Sequence, residues 1–164
     1  MLVKKKAARS LTALPNSVPI PNTAPQAIAR LGAIATMVNP LYTEYELSSQ
    51  MRQSGAKAVI AHVGTLDTAE KAVRMVVNEG GRPVEHLVVL GADSSAVPEG
   101  AISLDSMKAS ANPIWETVAG VAADDLVALP FSSGTTGLPK GTMLTHDNIV
   151  VRECHFICCF TPPR

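Results

Sequence analysis

Three short apolar runs, set apart by amphipathic stretches, constrain this chain more than anything else in it. "AIATMV" (33–38), "KAVIAHV" (57–63) and "EHLVVLG" (85–91) are each about the length of one strand. Between the first two, Thr43-Glu44-Tyr45-Glu46 has the Thr-x-x-Glu spacing of a capping box. There the threonine oxygen takes the Glu46 amide and the carboxylate reaches back to the threonine N–H. The helix it opens puts Leu47 and Met51 on one face and stops at Ser54-Gly55, because glycine accepts a left-handed C-cap. A second helix, from about Leu66 to Asn78, turns Leu66, Ala69, Val73 and Val76 or Val77 inward and ends at Gly80-Gly81. Strand, helix, strand, helix, strand with short connections predicts an α/β fold. Its centre is a doubly wound, mainly parallel sheet, covered on both faces through right-handed crossovers.

Outside that repeat the pattern is weaker. Residues 1–26 read as an irregular basic segment, since Pro15, Pro19, Pro21 and Pro25 interrupt any regular element. Pro25 suits the first position of a short helix running to Gly32. Gly91 to Asn112 reads as a surface connection with one short strand at Ala101 to Leu104, and Asn112 to Val118 as a helical turn carrying Trp115. Asp124 to Phe131 alternates into a further strand. The organisation expected is therefore 1–26 irregular, 27–150 one α/β unit, and 151–164 a divergent tail.

Composition excludes several classes of partner. The 164 residues are 46% hydrophobic, enough for a real core, and fourteen basic residues balance fourteen acidic ones. No global field draws the chain to nucleic acid or to an anionic membrane, and no apolar run reaches the roughly eighteen residues of a membrane span. The three cysteines all lie between Cys154 and Cys159, which fits a reducing compartment better than a disulfide framework. Met1 to Thr43 holds no acidic residue but carries Lys4, Lys5, Lys6, Arg9 and Arg30. That pattern has two readings, a solvated basic start or a mitochondrial-type presequence. The expected location is intracellular, cytoplasmic or peroxisomal, with the mitochondrion as the alternative.

The stretch "LPFSSGTTGLPKGTMLTH" (129–146) has a composition no hydrophobic core requires. Gly134, Gly137 and Gly141 remove Cβ bulk and permit positive φ, so successive amides can turn toward one anion. Ser132, Ser133, Thr135 and Thr136 add hydroxyl donors, and Lys140 adds a mobile full charge. The expected ligand is a polyphosphate. A Walker loop does not fit: Pro139 stands in place of the glycine before the lysine, Gly141 in place of the magnesium-binding hydroxyl, and "TMLTH" continues as strand. A flexible surface linker shares the composition but not the strands at both ends.

"LPFSSGTTGLPKG" resembles the phosphate-binding signature of the adenylate-forming superfamily, which includes acyl-CoA synthetases, 4-coumarate–CoA ligases and beetle luciferases. "MLTHDNIV", "LGAIATMVNPLYTEYEL" and "QSGAKAVIAH" resemble the family's neighbouring segments. The likeness runs from Ala27 to Val150, with "LPNSVP" a weaker echo ahead of it. The resemblance implies a partial N-terminal adenylation domain of the acyl-CoA synthetase type. It also implies ATP, Mg2+ and coenzyme A as the family's cofactors and co-substrates, with a carboxylic acid as substrate. ATP contact falls on Ser132, Ser133, Gly134, Thr135, Thr136 and Lys140, while Gly137 and Gly141 serve conformation. No residue of the segment is assigned covalent catalysis or metal binding, because the family's later motifs fall beyond the positions given. Tyr42-Thr43-Glu44 is a decoy for one of them, explained by its capping box. Two functional readings stand side by side: an acid–thiol ligase family member, and a non-catalytic fragment with residual nucleotide binding or an interaction role. A partial sheet would leave open edges, so self-association is expected.

The remaining polar candidates have plainer readings. Cys154, His155, Cys158 and Cys159 lack a distant second ligand pair for zinc. His62 reads as structural, His86 as solvated, His146 as part of the start of the next helix, and Asp124 and Asp125 as solvated turn residues.

Overall fold

A computed structural model describes residues 10–13, 23–92, 94–110, 120–133 and 139–151. The expected repeat is present. Strand β2 (Ile34–Met37) leads into helix α2 (Glu44–Ser54) and strand β3 (Ala56–His62), then helix α3 (Leu66–Asn78) and strand β4 (His86–Leu90). Each helix begins or ends for a local reason. Thr43 accepts the Glu46 amide and donates both its own N–H and its hydroxyl to the Glu46 carboxylate, closing the capping box. Gly55 ends α2 at φ 62°, a conformation that costs any L side chain roughly 1–2 kcal/mol. At the far end of α3 the Gly81 N–H returns to the Val76 carbonyl.

Two strands and two helices depart from the sequence expectation. Ser10–Ala13, inside the segment read as irregular, forms β1, a parallel strand lying between β2 and β3 in the middle of the sheet. Helix α1 (Thr23–Arg30) starts two residues before Pro25. A proline still belongs in the first turn, where its missing N–H has no intrahelical acceptor. Gly91–Asn112 is not merely a connection. After the short strand β5 (Ile102–Ser103) comes helix α4 (Leu104–Ser110), with the Ser103 hydroxyl accepting the Ser106 amide at its start. The stretch expected as one strand from Asp124 to Phe131 is split: β6 (Leu126–Ala128) stays in the main sheet and β7 (Phe131–Ser133) leaves it. The helical turn expected around Trp115 lies outside the described residues.

The main sheet runs β5-β4-β3-β1-β2-β6-β9, where β9 is Leu144–Thr145. All its pairings are parallel except β6 with β9, which is antiparallel. Alternation along β3 shows the sheet covered from both sides. Val59 and Ala61 pack with Leu47 and Met51 of α2 and with Ala69, Ala72 and Val76 of α3. Ile60, pointing the opposite way, packs against Ile28 of α1, Ala33 and Ala35. The chain moves outward from β1 to β2, then back across β1 to β3, β4 and β5, so the helices fall on opposite faces. This is the doubly wound arrangement expected. Within α3, Ala69 and Val76 are buried as expected and Ala72 joins them, whereas Val77 is exposed.

Candidate functional site

The glycine-rich stretch leaves the sheet at one well-anchored point. Ala128 pairs with Ala35 of β2 on one side and with Leu144 of β9 on the other. The next residue, Leu129, donates its N–H to the Ala35 carbonyl at 2.8 Å. Pro130 has no N–H to continue the ladder, so the strand ends there. Phe131–Ser133 then pairs antiparallel with β8 (Pro139–Gly141) as a separate two-stranded hairpin, and the Thr142 amide closes it onto the Pro130 carbonyl at 2.8 Å.

The hairpin register decides which side chains meet. Ser132 lies directly opposite Lys140, with Phe131 opposite Gly141 and Ser133 opposite Pro139. Side chains alternate across a strand and directly opposed residues share a face, with Cβ atoms about 5 Å apart. Ser132 and Lys140 are therefore neighbours on one face, and both are exposed. Among the described residues no carboxylate forms an ion pair with Lys140. Phe131 and Leu129 occupy the other side. A Cβ added to Gly141 would lie 3.1 Å from Phe131 Cζ and 3.3 Å from Leu129 Cδ1. Gly141 is bare because two apolar side chains lie against it; it has no positive φ, so of the two reasons expected for it only the steric one applies.

Of the residues assigned to phosphate contact, the structure brings Ser132 and Lys140 together and places the Ser133 backbone beside Pro139. Gly134, Thr135 and Thr136 lie outside the described residues, as do the Cys154–Cys159 cluster and His155. The segment after the hairpin behaves as expected. Thr145 caps a helix over 146–151 by accepting the Asn148 amide, while Asn148 Oδ1 accepts the Thr145 N–H. Asp125 shapes the preceding turn, accepting the Ala122 N–H at 2.8 Å, and its carbonyl takes the His146 amide. His62 is structural: its Nδ1 accepts the Gly64 N–H at 3.1 Å. His86 is exposed.

Sequence reasoning missed two residues behind the hairpin. Thr36 of β2 and Gln50 of α2 are both buried, 0% and 2% exposed. The Gln50 amide donates to Thr36 Oγ1 at 2.9 Å and to the Met37 carbonyl at 3.0 Å. Thr36 Oγ1 in turn donates to the Leu129 carbonyl at 2.7 Å. One signal was present: Gln50 stands three residues after Leu47 and one before Met51, a polar side chain at a helix position that faces the core.

Among the described residues no three His, Cys, Asp or Glu side chains converge to hold a metal ion. No described helix is long and apolar enough to cross a membrane.

The whole pattern has relatives. The profile of the family described as AMP-binding enzyme matches residues 5–161, a wider span than the 27–150 expected from the motifs. The chain is 39% identical over 122 residues to 4-coumarate–CoA ligase 3 of Arabidopsis thaliana, covering 73% of this chain and 19% of that protein. It is 39% identical over 148 residues to 4-coumarate–CoA ligase 5 of Oryza sativa subsp. japonica, covering 88% of this chain and 24% of that protein. The fold superposes on a long-chain-fatty-acid–CoA ligase from Archaeoglobus fulgidus with a TM-score of 0.72 and 26% identity, over 93% of this chain and 28% of that one. The chain thus spans about a fifth to a quarter of the length of these curated relatives. Sequence profile, curated relatives and fold agree: the chain belongs to the AMP-binding enzyme family.

Proposed function

We propose that this chain is the polyphosphate-gripping part of an ATP-dependent carboxylate–CoA ligase. The observation that carries the reading is the hairpin register, which sets Ser132 directly opposite Lys140, on one exposed face, where the chain enters and leaves residues 134–138. In the reaction proposed, a carboxylate oxygen attacks the α-phosphorus of ATP and the bond to the bridging oxygen breaks, releasing pyrophosphate. The thiol of coenzyme A then attacks the acyl carbon and AMP leaves, giving the thioester.

The role of this segment is in the first step. Negative charge grows on the β- and γ-phosphate oxygens as pyrophosphate departs. A pre-aimed hydroxyl and ammonium stabilise that charge more than they stabilise the bound substrate, which is how such a grip accelerates the chemistry. Ser133, Gly134, Thr135 and Thr136 complete the proposed set of contacts. The amides between Ser133 and Lys140 supply donors that need no side chain. Among the described residues no three His, Cys, Asp or Glu side chains converge, so none of them is proposed as a magnesium ligand.

Calorimetric titration of the chain with Mg-ATP, inorganic pyrophosphate and AMP tests this. A charged hydrogen bond is worth about 1.5–3 kcal/mol, so Lys140→Ala should weaken Mg-ATP and pyrophosphate binding roughly ten- to a hundredfold and leave AMP unchanged. Equal affinity of the variant for Mg-ATP would sink the reading. ATP–pyrophosphate exchange with a panel of carboxylic acids then separates a ligase from a segment that only binds nucleotide.

A further inference from the structure

We infer that Thr36 and Gln50 are positioning residues for the triphosphate grip, acting through the carbonyl of Leu129. The inference rests on the polyphosphate reading of the hairpin. Its physical basis is a one-way chain of hydrogen bonds that starts in the core and ends where the hairpin begins.

The direction of the relay is fixed by chemistry. The Met37 carbonyl can only accept, so the Gln50 atom 3.0 Å from it must be the nitrogen. The same nitrogen donates to Thr36 Oγ1, which leaves the threonine proton free to go to the Leu129 carbonyl. Leu129 is thereby held at both backbone groups, its N–H by Ala35 and its C=O by a side chain in place of a strand partner. Immediately afterwards Pro130 breaks the ladder and the chain turns out of the sheet into Phe131 and Ser132. The anchored carbonyl is the last point tied to the main sheet before the residues that face the ligand.

Stability alone does not account for this arrangement. Gln50 is 2% exposed, and its Oε1 has no hydrogen-bond partner among the described residues. A buried oxygen without a partner costs stability and offsets much of what the two amide bonds to Thr36 and Met37 contribute, so the net gain from a glutamine between Leu47 and Met51 is small. What the glutamine provides instead is an ordered Thr36 hydroxyl, and through it a fixed exit angle for the hairpin. Small displacements of binding groups weaken anion contacts steeply, so a relay remote from the ligand still controls affinity.

The test compares four variants of the whole chain for Mg-ATP affinity and melting temperature. Gln50→Met keeps length and volume and removes the donor that orients the Thr36 hydroxyl; it should melt within a few degrees of the unaltered chain yet bind Mg-ATP about five- to tenfold more weakly. Thr36→Val should show the same loss, and Thr36→Ser, which retains the hydroxyl, should recover it. Val76→Ala lowers stability in the α3 core away from the relay and should leave affinity unchanged. If affinity instead tracks melting temperature across all four, or if Gln50→Met and Thr36→Val bind like the unaltered chain, the positioning role is overturned while the site reading survives. If the unaltered chain binds no Mg-ATP, the site reading falls and the relay inference falls with it.

Discussion

Leu47, Val59, Ala69 and Ala72 are sealed between α2, α3 and the sheet with no exposed surface, whereas Ser132, Lys140 and Gly141 in the separate hairpin are open to solvent. The first region is held by apolar burial from three elements at once. The hairpin is held by backbone pairing, one aromatic ring lying on a glycine, and a hydroxyl that grips its entry point. The difference separates two tasks. A scaffold gains from every methylene it hides, but a site for a charged ligand has to keep its polar groups in water until the ligand comes. Geometry in the hairpin must then be imposed from behind, and the relay from Gln50 does so.

The sharpest way to break this contrast is to damage one region and read the other. Leu47→Ala removes a fully buried side chain packed between β3 and α3, and should cost about 2–5 kcal/mol in urea denaturation. Affinity for Mg-ATP, measured on the folded population, should stay within about twofold, since substitutions without shared partners act independently. A tenfold loss of affinity would show that scaffold and hairpin are one cooperative unit.

The converse substitution is Gly141→Ala. Its Cβ would approach Phe131 Cζ to 3.1 Å and Leu129 Cδ1 to 3.3 Å, so the ring and the leucine must each shift by a few tenths of an ångström. Neither neighbour belongs to the α2–α3 core, and the global cost should stay under about 1 kcal/mol. Binding should suffer more, about threefold to tenfold for Mg-ATP, because the displaced atoms flank the Ser132–Lys140 pair. A variant that loses stability and keeps its affinity would reverse the assignment of the two regions.

How much of each region could be read from the sequence follows the same division. The limits of α2 and α3 were legible because their signals are local: Thr43 with Glu46, Gly55, and the apolar stripe from Leu66 to Asn78. β1 was not, since Ser10–Ala13 is only four residues between a basic run and a proline-rich one, and its place in the sheet is set by β2 and β3. α4 had a legible start in Ser103 with Asp105 and Lys108, but too few apolar residues to register as periodic. At the site, the residue types in "SSGTTGLPKG" carry the expectation of an anion grip, and Pro130 carried the signal for the split strand. The relay was beyond reach. Thr36 and Leu129 stand 93 positions apart, and nothing local marks the threonine as the link between Gln50 and that carbonyl.

The smallest expected effect lies within the scaffold, at the entrance to α2. The Thr43 backbone N–H, and then its hydroxyl, bond to the Glu46 carboxylate and hold its pKa below the ordinary 4.5. A carboxyl lowered on folding contributes stability that is complete above its unfolded value and fades as pH falls through the folded one. Glu46→Gln keeps an acceptor in the capping box but not the charge. Its melting temperature should therefore fall slightly below that of the unaltered chain at pH 7, and the gap should close as both are titrated well below pH 4.5. Mg-ATP affinity at pH 7 should not respond, because the capping box and the hairpin share no hydrogen bond among the described residues. A gap that persists unchanged into acid would mean the carboxylate's charge is not what stabilises the cap, and that α2 is held by its buried face alone.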